Sequence, residues 1–317
     1  MIKKNDKIFL AGHRGLVGSA ILRSLKKNGY KKIITKDRKN LDLFDQKKVQ
    51  NFLKLTKPKL VIIAAARVGG IKANNIFRAD FIRQNLQIQT NLIHGSHLSN
   101  INNLIFLGSS CVYPKSSKLP IREDYLLSGK LEPTNEPYAI AKIAGIKMCE
   151  SYNIQYKRNY ISLMPTNTFG PGDNYNLNSS HFIPAVLRKI YEAKVNNKKF
   201  IYLWGTGKPK REIIYVDDLA SAVIYFMNIK TKHSLINIGT SRDYSIKYIA
   251  NKIIKILGIN IKVKFDNNKK FDGVYSKVLD TSVARKYGWN PKTEFKNAIL
   301  KTYKDFVKNY NGIKNIL

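Results

Sequence analysis

Close to the start of the chain, an apolar run, Lys7-Ile-Phe-Leu-Ala11, gives way to Gly12-His13-Arg14-Gly15-Leu16-Val17-Gly18, and helical spacing follows over Ser19–Lys27. A glycine-rich turn between a first strand and a first helix restricts the fold more than any other feature of the sequence. Its first glycine permits the tight turn, its second lets backbone approach a pyrophosphate, and its third lets helix pack on strand. Phosphates sit well at such a helix start, where free N–H groups and the dipole favour negative charge. The turn therefore predicts a dinucleotide site, against the plainer reading of a structural turn.

The same alternation continues. Strand patterns at Lys32–Lys36, Leu60–Ala64, Leu104–Leu107 and Tyr160–Met164 are separated by helical patterns at Gln46–Leu55, Ala79–Ser99 and Tyr138–Asn153, the last led in by Pro137. This order predicts an α/β fold, a doubly wound parallel sheet with right-handed crossovers. Beyond it, His181–Tyr191 reads as a helix and Phe200–Leu203 as a strand; helix Leu219–Met227 and strand Leu235–Ile238 are expected to rejoin the main sheet. Ile246–Leu257, Val263–Phe265 and Phe295–Tyr310 are expected to form a smaller, interleaved domain. The division expected is a dinucleotide domain of residues 1–173 with 212–242, and a substrate domain of 174–211 with 243–317.

Composition narrows the partners. The formal charge is +35, but the lysines are scattered as singles and pairs rather than in runs, which argues against a nucleic-acid partner. A positive field still attracts anionic small molecules. No apolar run reaches the roughly 18 residues of a membrane span. Met1-Ile-Lys-Lys-Asn-Asp6 lacks a signal-peptide core, so the mature chain is expected to begin there. Two cysteines in 317 residues fit a reducing cytoplasm rather than a disulfide framework.

The fourth strand runs out into Leu107-Gly108-Ser109-Ser110-Cys111-Val112-Tyr113-Pro114. Ligands in such sheets sit just outside the carboxyl ends of strands, so two hydroxyls and a thiol stand where a ligand is expected. Tyr138 and Lys142 follow, one helical turn apart. After the second strand, Asp37 would suit the ribose hydroxyl of NAD, whereas Arg38 and Arg14 would suit the extra phosphate of NADP. Two guanidiniums on one phosphate outweigh one carboxylate, which predicts NADP(H). His94 and His97 also lie one turn apart, but no third ligand follows; a solvated helix face is expected, and no metal. Cys149 falls among apolar helix positions as a core thiol.

Four segments carry a resemblance: Ala11–Ala20, Ala64–Ile71, Leu107–Pro114 and Leu131–Lys147. Over essentially its whole length the chain resembles the extended short-chain dehydrogenase/reductases, a Rossmann-type family, and within it the nucleotide-sugar epimerase/reductases. The resemblance implies NADPH-dependent 3,5-epimerisation and 4-reduction of GDP-4-keto-6-deoxy-D-mannose. For reduction it implies that Tyr138 protonates the carbonyl oxygen while Ser109 gives that oxygen a second hydrogen bond. Lys142 would hold the nicotinamide ribose and lower the pKa of Tyr138, ordinarily about 10. For epimerisation it assigns Cys111 as base and His181 as acid; a thiol near 8.5 serves once its thiolate is favoured.

Cofactor contacts implied in the same way extend from the glycine turn to Arg38, Asn40, Leu41, Ala65, Leu107, Gly108, Ser110, Pro165, Thr166, Asn167, Thr168 and His181. Implied substrate contacts are Lys189, Trp204, Arg211 and Asp272. Lys189 stands where the family pattern has an arginine, and Phe271–Lys277 lacks its usual proline and arginine. Both departures bear on which nucleotide or sugar is bound. A homodimer through the two long helices, Ala79–Ser99 and Tyr138–Asn153, is implied as well. Rival readings are a 4,6-dehydratase, which would carry an Asp-Glu pair where Ser110-Cys111 stand, a simple 4-epimerase, and a sensor or nucleic-acid binder using the fold as scaffold.

Overall fold

A computed structural model describes residues 1–269 and 272–314; Phe271 lies outside them. The strands are β1 (Ile8–Ala11), β2 (Ile33–Ile34), β3 (Leu60–Ile63), β4 (Asn103–Leu107), β5 (Asn159–Pro165), β6 (Asn167–Phe169), β7 (Phe200–Leu203), β8 (Lys210–Tyr215), β9 (Leu235–Ile238), β10 (Asp243–Ser245) and β11 (Lys262–Phe265). The helices are α1 (Leu16–Lys27), α2 (Gln46–Thr56), α3 (Ile71–Ile76), α4 (Arg78–Leu98), α5 (Glu136–Tyr156), α6 (Phe182–Val195), α7 (Val216–Phe226), α8 (Ile246–Leu257), α9 (Ser282–Lys286) and α10 (Phe295–Lys314).

Six strands pair in the order β2-β1-β3-β4-β5-β9, each pair parallel. β1 and β3 are buried along their whole length, as continuous apolar runs in a two-faced sheet must be. On one face Val49 and Leu53 of α2, Leu92 of α4 and Ile146 of α5 pack with Phe9, Val61 and Phe106. On the other, Ile21 and Leu25 of α1 and Leu219 and Val223 of α7 pack with Ile8, Leu10 and Ile105. Each such side chain contributes roughly 1.5–3 kcal/mol.

The order reverses between β1 and β3: the chain goes first to β2, then back across β1 to β3 and onward. In open α/β sheets the crevice at such a reversal receives the ligand. Two small sheets, β10-β8-β6 and β11-β7, stand apart from the main one. β8 lies outside the strands the sequence predicts, because its charged residues obscure its apolar ones; pairing with β10 and β6 forms it. α3, α9 and the three-residue strands β6 and β10 were likewise not foreseen.

His94 and His97 do not form a solvated face. His94 Nδ1 lies 2.7 Å from the Tyr152 hydroxyl, and His97 packs at a tilt on Tyr156 with ring centres 4.1 Å apart. Desolvation, with Arg158 and His94 alongside, lowers the pKa of His97. Cys149 is a buried core thiol, and burial pushes its pKa up to about 12.

Candidate active site

The glycine turn lies at the β1/β3 reversal. Gly12 has φ +88°, and a Cβ there would stand 2.5 Å from the nitrogen of Ala65, at the end of β3. A Cβ on Gly18 would meet the oxygen of Gly12 at 2.0 Å, so helix and turn pack with no side chain between them. Gly15 differs: its nearest neighbour would be 3.7 Å away, and it caps α1 with no side-chain hydrogen bond. The open approach at Gly15 and the uncapped first turn of α1 fit a pyrophosphate. His13, Leu16 and Val17 complete the turn.

The adenosine side departs from expectation. Arg14 and Arg38 do not converge: Arg14 Nη2 pairs with Asp37 at 3.0 Å, while Arg38 lies 3.8 Å from Asp42 and over the Phe44 ring. Asp37 also accepts from the backbone and side-chain nitrogens of Asn40, and these bonds, with Arg14, hold its carboxyl below the usual value. The local charges neutralise each other first. Leu41 is buried behind them.

At the end of β4, Gly108 admits Met164: a Cβ there would stand 2.0 Å from its terminal carbon. The chain then enters a short helical turn, Ser110–Val112, in which Ser109 Oγ accepts the N–H of Cys111 at 3.2 Å. Ser110 is buried. Ser109 also hydrogen-bonds Tyr138, and Cys111 interacts electrostatically with the same hydroxyl, so the turn after β4 meets the first turns of α5. Lys142 is buried and donates to the backbone oxygen of Leu107 at 2.7 Å, with its ammonium 5.9 Å from the Tyr138 ring centre.

The Tyr138 pKa is raised here, where a lowering by Lys142 is the expectation. Desolvation raises it well above 10, Cys111 adds to the rise, and only the Ser109 bond opposes it. The lysine is itself desolvated, which brings its pKa down to about 7, and its donor points at Leu107. A phenol so placed stays protonated at neutral pH, the state a proton donor needs.

His181 precedes α6 as its N-cap residue. Its ring is reached by solvent yet crowded by protein, and that desolvation lowers its pKa. The tail of β3 approaches it, since Gly70 donates to Ser179 at 3.0 Å. Hydrogen bonds in the Ser109–Cys111–Tyr138 cluster, among the described residues, do not extend to it. Pro165 ends β5, and the next side chains turn to backbone: Thr166 Oγ1 and Asn167 Nδ2 donate to the Glu212 oxygen, and Thr168 Oγ1 to that of Thr166.

Three implied substrate residues are committed to protein contacts. Arg211 donates to the carbonyls of Asp272 at 2.8 Å and Val274 at 2.7 Å, strapping that segment over β8. Both carboxylate oxygens of Asp272 accept from Thr206 at 2.8 Å. Lys189 donates to the Tyr202 carbonyl and lies 5.6 Å from the ring centre of Trp204, which is 47% exposed. Arg211 feels the charge of Cys111, which places the strap beside the β4 cluster.

Two residues without an expected role belong to this neighbourhood. Asn135, three positions before Tyr138, donates to Cys111 Sγ at 3.3 Å. Glu212 is fully buried and accepts the N–H groups of Thr240, Ser241 and Leu279. Spacing from Tyr138 could have singled out Asn135; nothing in the sequence marks Glu212.

A doubly wound sheet, a glycine turn at its reversal point and a Ser-Tyr-Lys set at a neighbouring strand end define a dinucleotide-dependent oxidoreductase of Rossmann type. The NAD dependent epimerase/dehydratase family matches residues 8–239, and the chain belongs to it. A protein of Escherichia coli (strain K12) named GDP-L-fucose synthase is 46% identical over 318 residues, 98% of this chain and 99% of that one. Among solved structures, a GDP-6-OMe-4-keto-L-xylo-heptose reductase from C. jejuni is 36% identical, with TM-score 0.90 and coverage of 98% and 99%. A GDP-L-fucose synthetase from Naegleria fowleri bound to NADP is 28% identical, with TM-score 0.90 and coverage of 98% and 95%.

Proposed function

We propose that this chain converts GDP-4-keto-6-deoxy-D-mannose to GDP-L-fucose, epimerising C3 and C5 and reducing C4 with NADPH. The observation that carries the reading is the meeting of Cys111 with Ser109 and Tyr138 at the end of β4. A plain reductase needs only the hydroxyl pair and the lysine; the thiol supplies a base beside them. Full-length similarity to the E. coli protein supports the same reading.

The glycine turn, the α1 N-terminus, Lys142 and residues 165–168 would hold NADPH, which supplies hydride to the C4 carbon. Arg14, released from Asp37, would meet the 2′-phosphate, with Arg38 at its side. Cys111 takes the proton next to the C4 ketone, and His181 returns one from the opposite face. Ser109 and Tyr138 bind the C4 oxygen throughout, first stabilising the enolate and then protonating the alkoxide as it forms. Trp204 offers a face to the guanine, and Lys189 and Arg211 offer positive charge to the diphosphate. Residues 1–173 with 212–242 serve the cofactor, and the remainder serves the sugar nucleotide.

The chain works as a cytoplasmic homodimer, pairing α4 and α5 of each copy; exposed Ile140, Ile154 and Tyr156 on α5 and Leu98 on α4 support this. No helix among the described residues is long and apolar enough to cross a membrane. The test is product analysis after incubation with NADPH and GDP-4-keto-6-deoxy-D-mannose. GDP-L-fucose, with one NADPH oxidised per molecule, is expected. Reduction without inversion would favour a second reading, a C4 reductase of another GDP-linked keto sugar, towards which the C. jejuni neighbour and Lys189 point.

A further inference from the structure

Asn135 occupies the N-cap position of α5, where an asparagine ordinarily accepts a hydrogen bond from an N–H of the helix's first turn. Its side chain makes no such bond. Instead Nδ2 donates to Cys111 Sγ at 3.3 Å. The amide oxygen is buried and has no hydrogen-bond partner among the described residues. A buried, half-satisfied amide costs free energy that an apolar side chain would not. Neither capping nor packing accounts for asparagine at this place.

We propose that Asn135 is a positioning residue that holds the Cys111 sulfur as a thiolate, an inference that rests on the reading of Cys111 as the epimerisation base. An N–H donor bonded to sulfur favours the anion over the neutral thiol. Two ionisable groups face Cys111 from other elements: Arg211 on β8, whose charge supports the anion, and Tyr138 on α5, which is neutral. Arg211 commits donors to Asp272 and Val274, leaving Asn135 as the neutral donor in contact with sulfur. In the proton transfer, the sugar C–H bond breaks as an S–H bond forms, and the electron pair remains on the sugar as an enolate. Loss of negative charge on sulfur weakens the Asn135 bond, so the amide favours the reactant thiolate and its recovery after turnover.

The test is alkylation of Cys111 by iodoacetamide as a function of pH, followed by mass spectrometry of its peptide in the full-length, cofactor-free protein. Buried Cys149 provides the internal reference. Asn135→Ala should move the profile up by about one pH unit, making alkylation about tenfold slower at pH 7. Asn135→Asp keeps the shape but sets a carboxylate against sulfur, and should move the profile further. Superimposable profiles would overturn the proposal, as would a parent-like profile in the Asp variant. The measurement uses no sugar nucleotide. A shifted profile without GDP-L-fucose formation would remove the reading of the reaction and leave Asn135's hold on the thiolate standing.

Discussion

The Nζ of Lys142 donates to the backbone oxygen of Leu107 at 2.7 Å, tying α5 to the carboxyl end of β4. Together with the packing of Ile143 and Ile146 on Phe106, this bond fixes the helix that carries Tyr138 against the strand that leads to Ser109 and Cys111. The lysine is buried, so the arrangement has an energetic cost as well as a use.

Lys142→Met should slow reduction on the order of 100-fold or more, because the bond that holds Tyr138's helix to the end of β4, and so the proton donor to its place, is lost. It should also change stability against pH. Folding depresses the Lys142 pKa from 10.5 to about 7, so between those values the unfolded chain holds a proton that the folded chain lacks. Stability from this group is present above 10.5 and is lost as pH falls through 7. Denaturant midpoints at pH 7 and 9.5 check this: the parent should gain more on going to pH 9.5 than the variant, and parallel gains would contradict the account.

Gly15 and Gly18 should separate binding from folding. Gly18→Ala drives a Cβ against the Gly12 oxygen and should destabilise by about 1–3 kcal/mol. Gly15→Ala meets nothing closer than 3.7 Å and should leave stability within about 0.5 kcal/mol. Its methyl group nevertheless occupies the phosphate approach, so NADPH affinity should fall at least about tenfold. Thermal melts paired with cofactor-fluorescence titrations read both effects, and undiminished affinity in Gly15→Ala would place the pyrophosphate elsewhere.

Glu212 gives a prediction of opposite sign. Burial raises its pKa from 4.5 to about 7, opposed by bonds from Leu279, Ser241 and Thr240. The folded chain therefore holds the proton more tightly, and its contribution is full below pH 4.5 and lost as pH rises through 7. That loss amounts to about 3 kcal/mol. Glu212→Gln cannot ionise, so its stability should fall less between pH 4.5 and 7 than the parent's, as melting temperatures across that window would show. Equal declines in the two proteins would mean that Glu212 titrates normally.

Much of this fold is legible in the sequence because its strands are apolar runs and its glycine turn has one sterically sensible position. Leu60–Ile63 and Leu235–Ile238 needed no partner to be recognised. Lys210–Tyr215 did: its charged residues hide a strand that only pairing with β10 and β6 reveals. The site divides in the same way. Ser109, Tyr138 and Lys142 follow from position and spacing, whereas Arg14 on Asp37, Arg211 on the 272–274 strap and Asn135 on Cys111 are contacts between distant segments. The rise in the Tyr138 pKa is likewise not legible in sequence, because it depends on how completely water is displaced from the hydroxyl and on the Cys111 charge beside it.

The most direct test of two reactions sharing one site is incorporation of solvent deuterium into the sugar, compared with NADPH oxidation, in Cys111→Ser and Tyr138→Phe. Cys111→Ser should bind NADPH normally and lose deuterium incorporation, while Tyr138→Phe should keep much of the exchange and lose most of the oxidation. Normal exchange in Cys111→Ser, or equal losses of both reactions in Tyr138→Phe, would contradict the division of labour between thiol and phenol.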